Sequence, residues 1–150
     1  MQFFRIADAR FAQDRGEGAR LYGGRWNSAG RPVIYACETY SGAMLEKLVH
    51  TSGRMPAQQV CVTFEAPDAL PVGAIEASAV PGWELPDMIA SRAAGDAWLD
   101  SGTTSVLLVP SIVFGVERNV LINPAHADFR RISVVSVEPV RWDERLFVAR

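Results

Sequence analysis

LYGGRWNSAGRPVIYAC, residues 21–37, holds the densest run of turn-forming and recognition-type side chains in the chain. The pairs Gly23-Gly24 and Asn27-Ser28 bracket Arg25 and Trp26, and after Arg31-Pro32 the chain enters a short apolar run at once. VIYAC (33–37) is β-branched and aromatic, the composition of a buried strand. A plain hairpin needs far less than the loop in front of it. An arginine among glycines and small polar residues sits on backbone that a ligand can approach closely. Its guanidinium can fork onto a phosphate or carboxylate. On composition alone a solvated loop arginine is the commoner outcome. What favours a binding loop is density: the recognition side chains Tyr22, Arg25, Trp26, Asn27 and Arg31 fall within ten residues.

Outward from this stretch, FFRIA (3–7) reads as a first short strand, and 7–27, polar and glycine-rich, as an ordered loop. Thr39 or Ser41 can cap a helix over 41–51, with Gly53 at its C′ position. Leu45, Leu48 and Val49 form its apolar stripe, Met44 flanks it and Glu46 borders it. QQVCVTFEA (58–66) alternates with Val60, Val62 and Phe64 on one face, so it is a strand. Pro67, Pro71, Pro81 and Pro86 make the following stretch irregular. Asp87 caps a helix over 87–100 that ends at Gly102, and strands follow at 105–111, 119–123 and 131–140. The expected class is α+β, a mostly β core with a few packed helices, in one domain over 1–150.

With 49% hydrophobic and 21% charged residues the composition is ordinary globular. A net charge of −2 offers no general attraction to phosphate backbones, so no direct nucleic-acid partner is expected. The apolar runs are too short for a membrane span and the first residues lack a signal-peptide core. Cys37 and Cys61 have no metal-ligand spacing and read as small core residues in a reducing compartment. These features predict a cytoplasmic protein with neither membrane contact nor metal.

Alternation puts Tyr35 on one face with Val33 and Cys37, either as a core tyrosine or as a stacking platform at a pocket wall. Glu46 either pairs with Lys47 or His50 at the surface or, at a pocket edge, stabilises a developing positive charge. His50 and His126 are read as helix-end and turn residues. Ser111, after Pro110, can bond a ligand or close a strand, but nothing supplies it with a hydrolase triad. Asn119 and Asn123 bracket a strand in positions where asparagine routinely makes caps and turns. GEG (16–18) and YGG (22–24) match neither dinucleotide-fold nor P-loop glycine patterns.

GARLYGGRWNSAGRPVIYACETYSGAMLEKLVH, followed by GDAWLDSGTTSVLLVPSIVFGVERNVLINPAHADF and a terminal DERLF, resembles the RES-domain family. That family supplies the toxins of bacterial RES–Xre toxin–antitoxin pairs. The resemblance implies an ADP-ribosyltransferase-like fold that consumes NAD as substrate, by hydrolysis or phosphorolysis at the nicotinamide–ribose bond. Inorganic phosphate is then a possible co-substrate, and no prosthetic group is implied. By motif, Arg25 is the family arginine, Tyr35 the nicotinamide-side tyrosine, Glu46 the family glutamate and Ser111 the family serine. Tyr22, Gly24, Trp26, Asn27, Arg31 and Asn123 are the expected substrate-binding residues. The implied partners are an Xre-type helix-turn-helix antitoxin that occludes the active site and a second toxin copy in a homodimer. Mono-ADP-ribosylation of a protein is the alternative activity; a non-catalytic NAD-binding module and a nuclease stand further off.

Overall fold

The computed structural model describes residues 1–147. Seven strands form one mixed sheet: β1 (Gln2–Asp8), β2 (Ile34–Cys37), β3 (Gln59–Glu65), β4 (Val72–Ala74), β5 (Val106–Pro110), β6 (Arg118–Ile122) and β7 (Ser133–Pro139). Their order is β4-β5-β6-β2-β1-β3-β7. The β4–β5 pair is parallel and the other pairs are antiparallel. Among the described residues three α-helices accompany it: α1 (Glu17–Tyr22), α2 (Tyr40–Val49) and α3 (Ile89–Ser101). This is the α+β class expected.

Strands β2 and β5 and the last three residues of β6 are almost wholly apolar because they are covered on both faces. Ile34, Ala36, Val106, Val120 and Ile122 join Phe3, Val62 and Phe64 in one cluster. Val33, Leu107, Val109 and Leu121 meet Trp26 and Trp98 in the other. Period-two alternation assigns each residue its face. In the sheet's middle, β1 and β2 meet at a single residue pair, Phe4 with Cys37, whereas β1 pairs with β3 along its whole length. The sheet therefore parts beside β2.

Three expectations are corrected. The stretch 7–27 is not all loop: α1 forms within it, its first N–H (Glu17) bonded at 2.8 Å to Asp14 Oδ1. Gly16 precedes it at φ 91°, with the Val33 backbone where a Cβ would stand. The proline-rich stretch contains β4, whose three residues are too few to show a period. The third correction concerns α2. Thr39 caps it, accepting from Gly42 N, but its buried residues are Gly42 and Ala43, while Leu45 (44%) and Val49 (56%) stay exposed. A Cβ on Gly42 would stand 3.0–3.3 Å from Thr39, Glu117 and Phe114 atoms. The small residues let the helix come close, and that rotation turns Glu46, one turn further on, inward.

Helix α3 is held still more tightly. It ends as expected at Gly102, in the left-handed region, but it starts at Ile89 with Met88, itself at φ 58°, in the N-cap position, and Asp87 Oδ1 accepts Ile89 N–H at 2.9 Å from one residue further out. At its centre Gly95 lies directly on the Trp26 backbone, where a Cβ would fall 1.7 Å from the Trp26 carbonyl oxygen. Gly95→Ala must push the helix off the loop, and we expect a loss of about 3 kcal/mol, in the upper range for overpacking. Urea denaturation of the variant measures it; an unchanged midpoint would contradict this packing.

Candidate active site

The loop between α1 and β2 is built around Asn27, which is completely buried. Its Nδ2 donates to the carbonyls of Ala19 and Arg31 at 3.0 Å and of Ser28 at 3.1 Å. Its Oδ1 accepts the Tyr35 hydroxyl at 2.6 Å, and that hydroxyl in turn accepts Trp26 N–H at 3.0 Å. Burial is the main reason the Tyr35 phenol is raised well above its ordinary pKa. The phenol stays protonated and keeps donating.

Gly24 is required by the same ring: a Cβ there would lie 2.5 Å from the Tyr35 oxygen. Helix α3 closes the loop from outside. Arg92 Nε donates to Gly24 O at 2.8 Å, Ser28 N–H reaches Asp96 Oδ1 at 3.0 Å, and Arg31 pairs with Asp100 at 2.7 Å.

A cavity of about 640 Å³ opens between this loop, α2 and the parted sheet. Gly24, Arg25, Tyr35, Cys37, Glu46 and Asn119 are among its lining residues. Arg25 Nη1 donates to the carbonyls of Trp83 (3.0 Å) and Leu85 (3.1 Å), which fixes the guanidinium against the 80–88 segment. Among the described residues it has no carboxylate partner, so the rest of its fork is free for an anion.

Glu46 is held on one oxygen. Oε1 accepts Asn119 Nδ2 at 2.8 Å and Ser111 Oγ at 3.1 Å. Ser111 is buried and reaches the site through Glu46. Oε2 takes no hydrogen bond from the described residues, leaving it for a ligand. Behind Asn119 sits Cys37, whose Sγ–H donates to Asn119 Oδ1 at 3.3 Å. Burial, then the negative charges of Glu46 and Glu117, push the Cys37 thiol up to about 12.

Five of the expected residues thus converge: Arg25, Tyr35, Glu46 and Gly24 on the cavity wall and Ser111 behind it. The other five contribute little or nothing to that wall. Trp26 borders the cavity but is 1% exposed, its indole stacked on Trp83 at 5.9 Å, so it offers a ligand almost no surface. Asn27 is the buried anchor of the loop. Tyr22 is 81% exposed at the end of α1, away from the cavity wall. Arg31 is spent on Asp96 and Asp100. Asn123 makes a turn, its Oδ1 accepting Ala125 N–H at 3.0 Å. Trp26, Asn27 and Arg31 spend their side chains on building the loop.

Sequence reasoning passed over Asn119 and Cys37 as site residues. Their only signal was parity, since Asn119 shares a strand face with Leu121 and Cys37 with Tyr35. The Cys37–Asn119 pairing in the β2–β6 ladder makes that parity meaningful.

The RES-domain family model matches residues 2–143. A Sphingobium protein named "Prs ADP-ribosylating toxin" is 40% identical over 153 residues, covering 96% of this chain and 95% of its own. A Pseudomonas putida protein named "Toxin Res" is 34% identical over 140 residues, with 91% and 94% covered. Among solved structures, the Mycobacterium tuberculosis MbcT–MbcA toxin–antitoxin complex contains a chain that superposes with a TM-score of 0.73 at 21% identity. It matches 93% of this chain and 83% of that one.

Two outcomes follow from this geometry. Tyr35→Phe leaves Asn27 Oδ1 and Trp26 N–H buried without their partner, a destabilisation of about 2 kcal/mol that urea unfolding would register. With its thiol near 12, native Cys37 should resist iodoacetamide at pH 8 and react fully once unfolded, as intact-mass spectrometry would show.

Proposed function

The chain belongs to the RES-domain family, and on that premise we propose that it is the toxin of a toxin–antitoxin pair that breaks the nicotinamide–ribose bond of NAD. The observation that carries this reading is Glu46, a carboxylate pinned on Oε1 by Asn119 and Ser111 with Oε2 unbonded, on the wall of a cavity shared with Arg25 and the Tyr35 ring.

In NAD the leaving nicotinamide departs neutral from a cationic state. The C–N electron pair goes to the ring nitrogen, and positive charge spreads over the ribose C1′ and ring oxygen. A fixed carboxylate beside that charge stabilises the transition state more than the ground state. Glu46 Oε2 supplies it and can hold the ribose hydroxyl. The Tyr35 ring, clamped by its own hydroxyl, offers a flat wall for nicotinamide. The free edge of Arg25 takes anionic oxygens of the dinucleotide. An oxygen nucleophile then bonds to C1′ and gives up its proton: water yields ADP-ribose, and inorganic phosphate yields its 1″-phosphate. NAD is the substrate throughout.

A second reading makes a protein side chain the acceptor. It is favoured by the 40%-identical relative, whose name describes it as an ADP-ribosylating toxin. The bond broken and the residues around it are the same; only the acceptor differs.

The partner we propose is an antitoxin of the Xre helix-turn-helix type that covers the cavity mouth, acting on a toxin homodimer. Its support is the complex in which the superposing MbcT chain was solved, and the exposed apolar side chains flanking the mouth. Leu85, whose carbonyl binds Arg25, Ile89, next to the cavity-lining Met88, and the lining residue Ile112 are all exposed.

The deciding experiment is NAD consumption by purified protein with and without inorganic phosphate, products identified by mass spectrometry, beside labelled NAD in cell extract. We expect free nicotinamide from the wild type. A folded Glu46→Gln, which removes charge at nearly constant shape, should lose about a hundredfold or more in turnover, the scale of one electrostatic stabiliser. A labelled protein band would decide for the second reading, and full turnover by Glu46→Gln would refute the role of Glu46. Tight NAD binding without cleavage would mark a binding module.

A further inference from the structure

The carboxylate of Glu46 is asymmetric, and the asymmetry originates two residues away. Oε1 is saturated by two donors while Oε2 has none among the described residues. The nearer donor, Asn119 Nδ2, is a terminal amide that can present either its NH2 or its carbonyl toward Glu46. Turned the wrong way, it would aim an oxygen at a carboxylate and free Glu46 to pivot about Ser111 alone. Cys37 occupies the position that selects the productive face, its Sγ 3.3 Å from Asn119 Oδ1. A protonated thiol donates to that oxygen but has only weak acceptor capacity for an NH2. The residues lie opposite each other in the β2–β6 ladder, so the contact is set by rigid sheet backbone rather than by a loop.

We propose that Cys37 is a positioning residue: its thiol holds the Asn119 amide in the orientation that bonds Glu46 Oε1, so that Oε2 is the oxygen presented to the reacting ribose. The thiol never meets the substrate's reacting atoms and never needs to ionise; it acts as an S–H donor at the head of a three-member relay that runs Cys37 to Asn119 to Glu46. Its burial keeps it protonated, which the donor role demands. Ser111 completes the arrangement from the other side, itself oriented by donating to Glu46 while its Oγ accepts Val113 N–H at 3.1 Å. The inference rests on the reading that Glu46 stabilises charge during cleavage of NAD, but the relay itself can be observed without turnover.

The test compares wild type, Cys37→Ala and Cys37→Ser, each first shown to be folded by its thermal unfolding. Two quantities are read: kcat and KM for NAD, and the 1H–15N resonances of the Asn119 side-chain amide, assigned by their loss in Asn119→Ala. In Cys37→Ala we expect kcat to fall about tenfold, the lower end for loss of an orienting partner behind a reacting group, with KM within about twofold. The Asn119 amide signals should move toward those of a solvent-exchanging amide. Cys37→Ser keeps a donor and should restore both readouts to near the wild-type values.

Equal kcat in Cys37→Ala and wild type overturns the proposal. So does an equal loss in Cys37→Ser, because that would mean the sulfur is needed for packing and not for its proton. Should the wild type leave NAD untouched, the proposed activity fails but the amide signals still decide the relay. A shift in Cys37→Ala that is reversed in Cys37→Ser upholds it, and no shift overturns it.

Discussion

One buried side chain holds the site together. Asn27 has no exposed surface, and its amide ties α1 to its own loop through Ala19, Ser28 and Arg31, while its carbonyl oxygen receives the hydroxyl of Tyr35 on β2. A buried amide left unpaired costs on the order of 1–3 kcal/mol for each orphaned group, so all these partners must be in place together or the loop does not form. That cooperativity turns glycine-rich chain, entropically expensive to order, into a rigid support for Arg25. Helix α3 then fastens the same loop from the far side through Gly95, Arg92 and Asp96. The aromatic pair Trp26–Trp83 packs the space between.

From that rigidity follows the electrostatic character of the cavity. A fixed carboxylate oxygen and a partly free guanidinium line the cavity from different elements, Glu46 from α2 and Arg25 from the loop. Neither spends itself on the other. Both are anchored by groups that leave one edge free: Glu46 by Asn119 and Ser111, Arg25 by two backbone carbonyls. Such preorganisation makes a charge effective in a partly desolvated cleft, because no reorganisation is needed when the substrate's charge develops. The parting of the sheet beside β2 makes the room, and the small residues of α2 bring Glu46 into it.

Much of this was legible in the chain. Strands β1, β2, β3, β5, β6 and β7 follow from alternation or from apolar runs, and the end of α3 from Gly102. Arg25, Tyr35, Glu46 and Ser111 were singled out by residue type and by resemblance, and the fold brings them together. The failures share a cause. Leu45 and Val49 were assigned to the core because they are apolar, yet α2 buries its smallest residues, since closeness of approach outweighed apolar area there. Trp26, Asn27 and Arg31 have side chains suited to recognition, and here the protein itself engages them. β4 was hidden in a proline-rich stretch because only its neighbour β5 defines it as a strand.

The sequence by itself determined the class of fold, the position of most elements and the residue types available for chemistry. Those depend on local periodicity, caps and turn chemistry, which act over a few residues. Only the tertiary structure decided which side chains face the cavity and which build its walls. Asn119 and Cys37 became part of the site through the β2–β6 register, and Asn27 became the anchor of the loop through Tyr35 and three carbonyls. The physical reason is that a hydrogen bond across the fold depends on where two backbones meet, and residue type along the chain does not encode that distance.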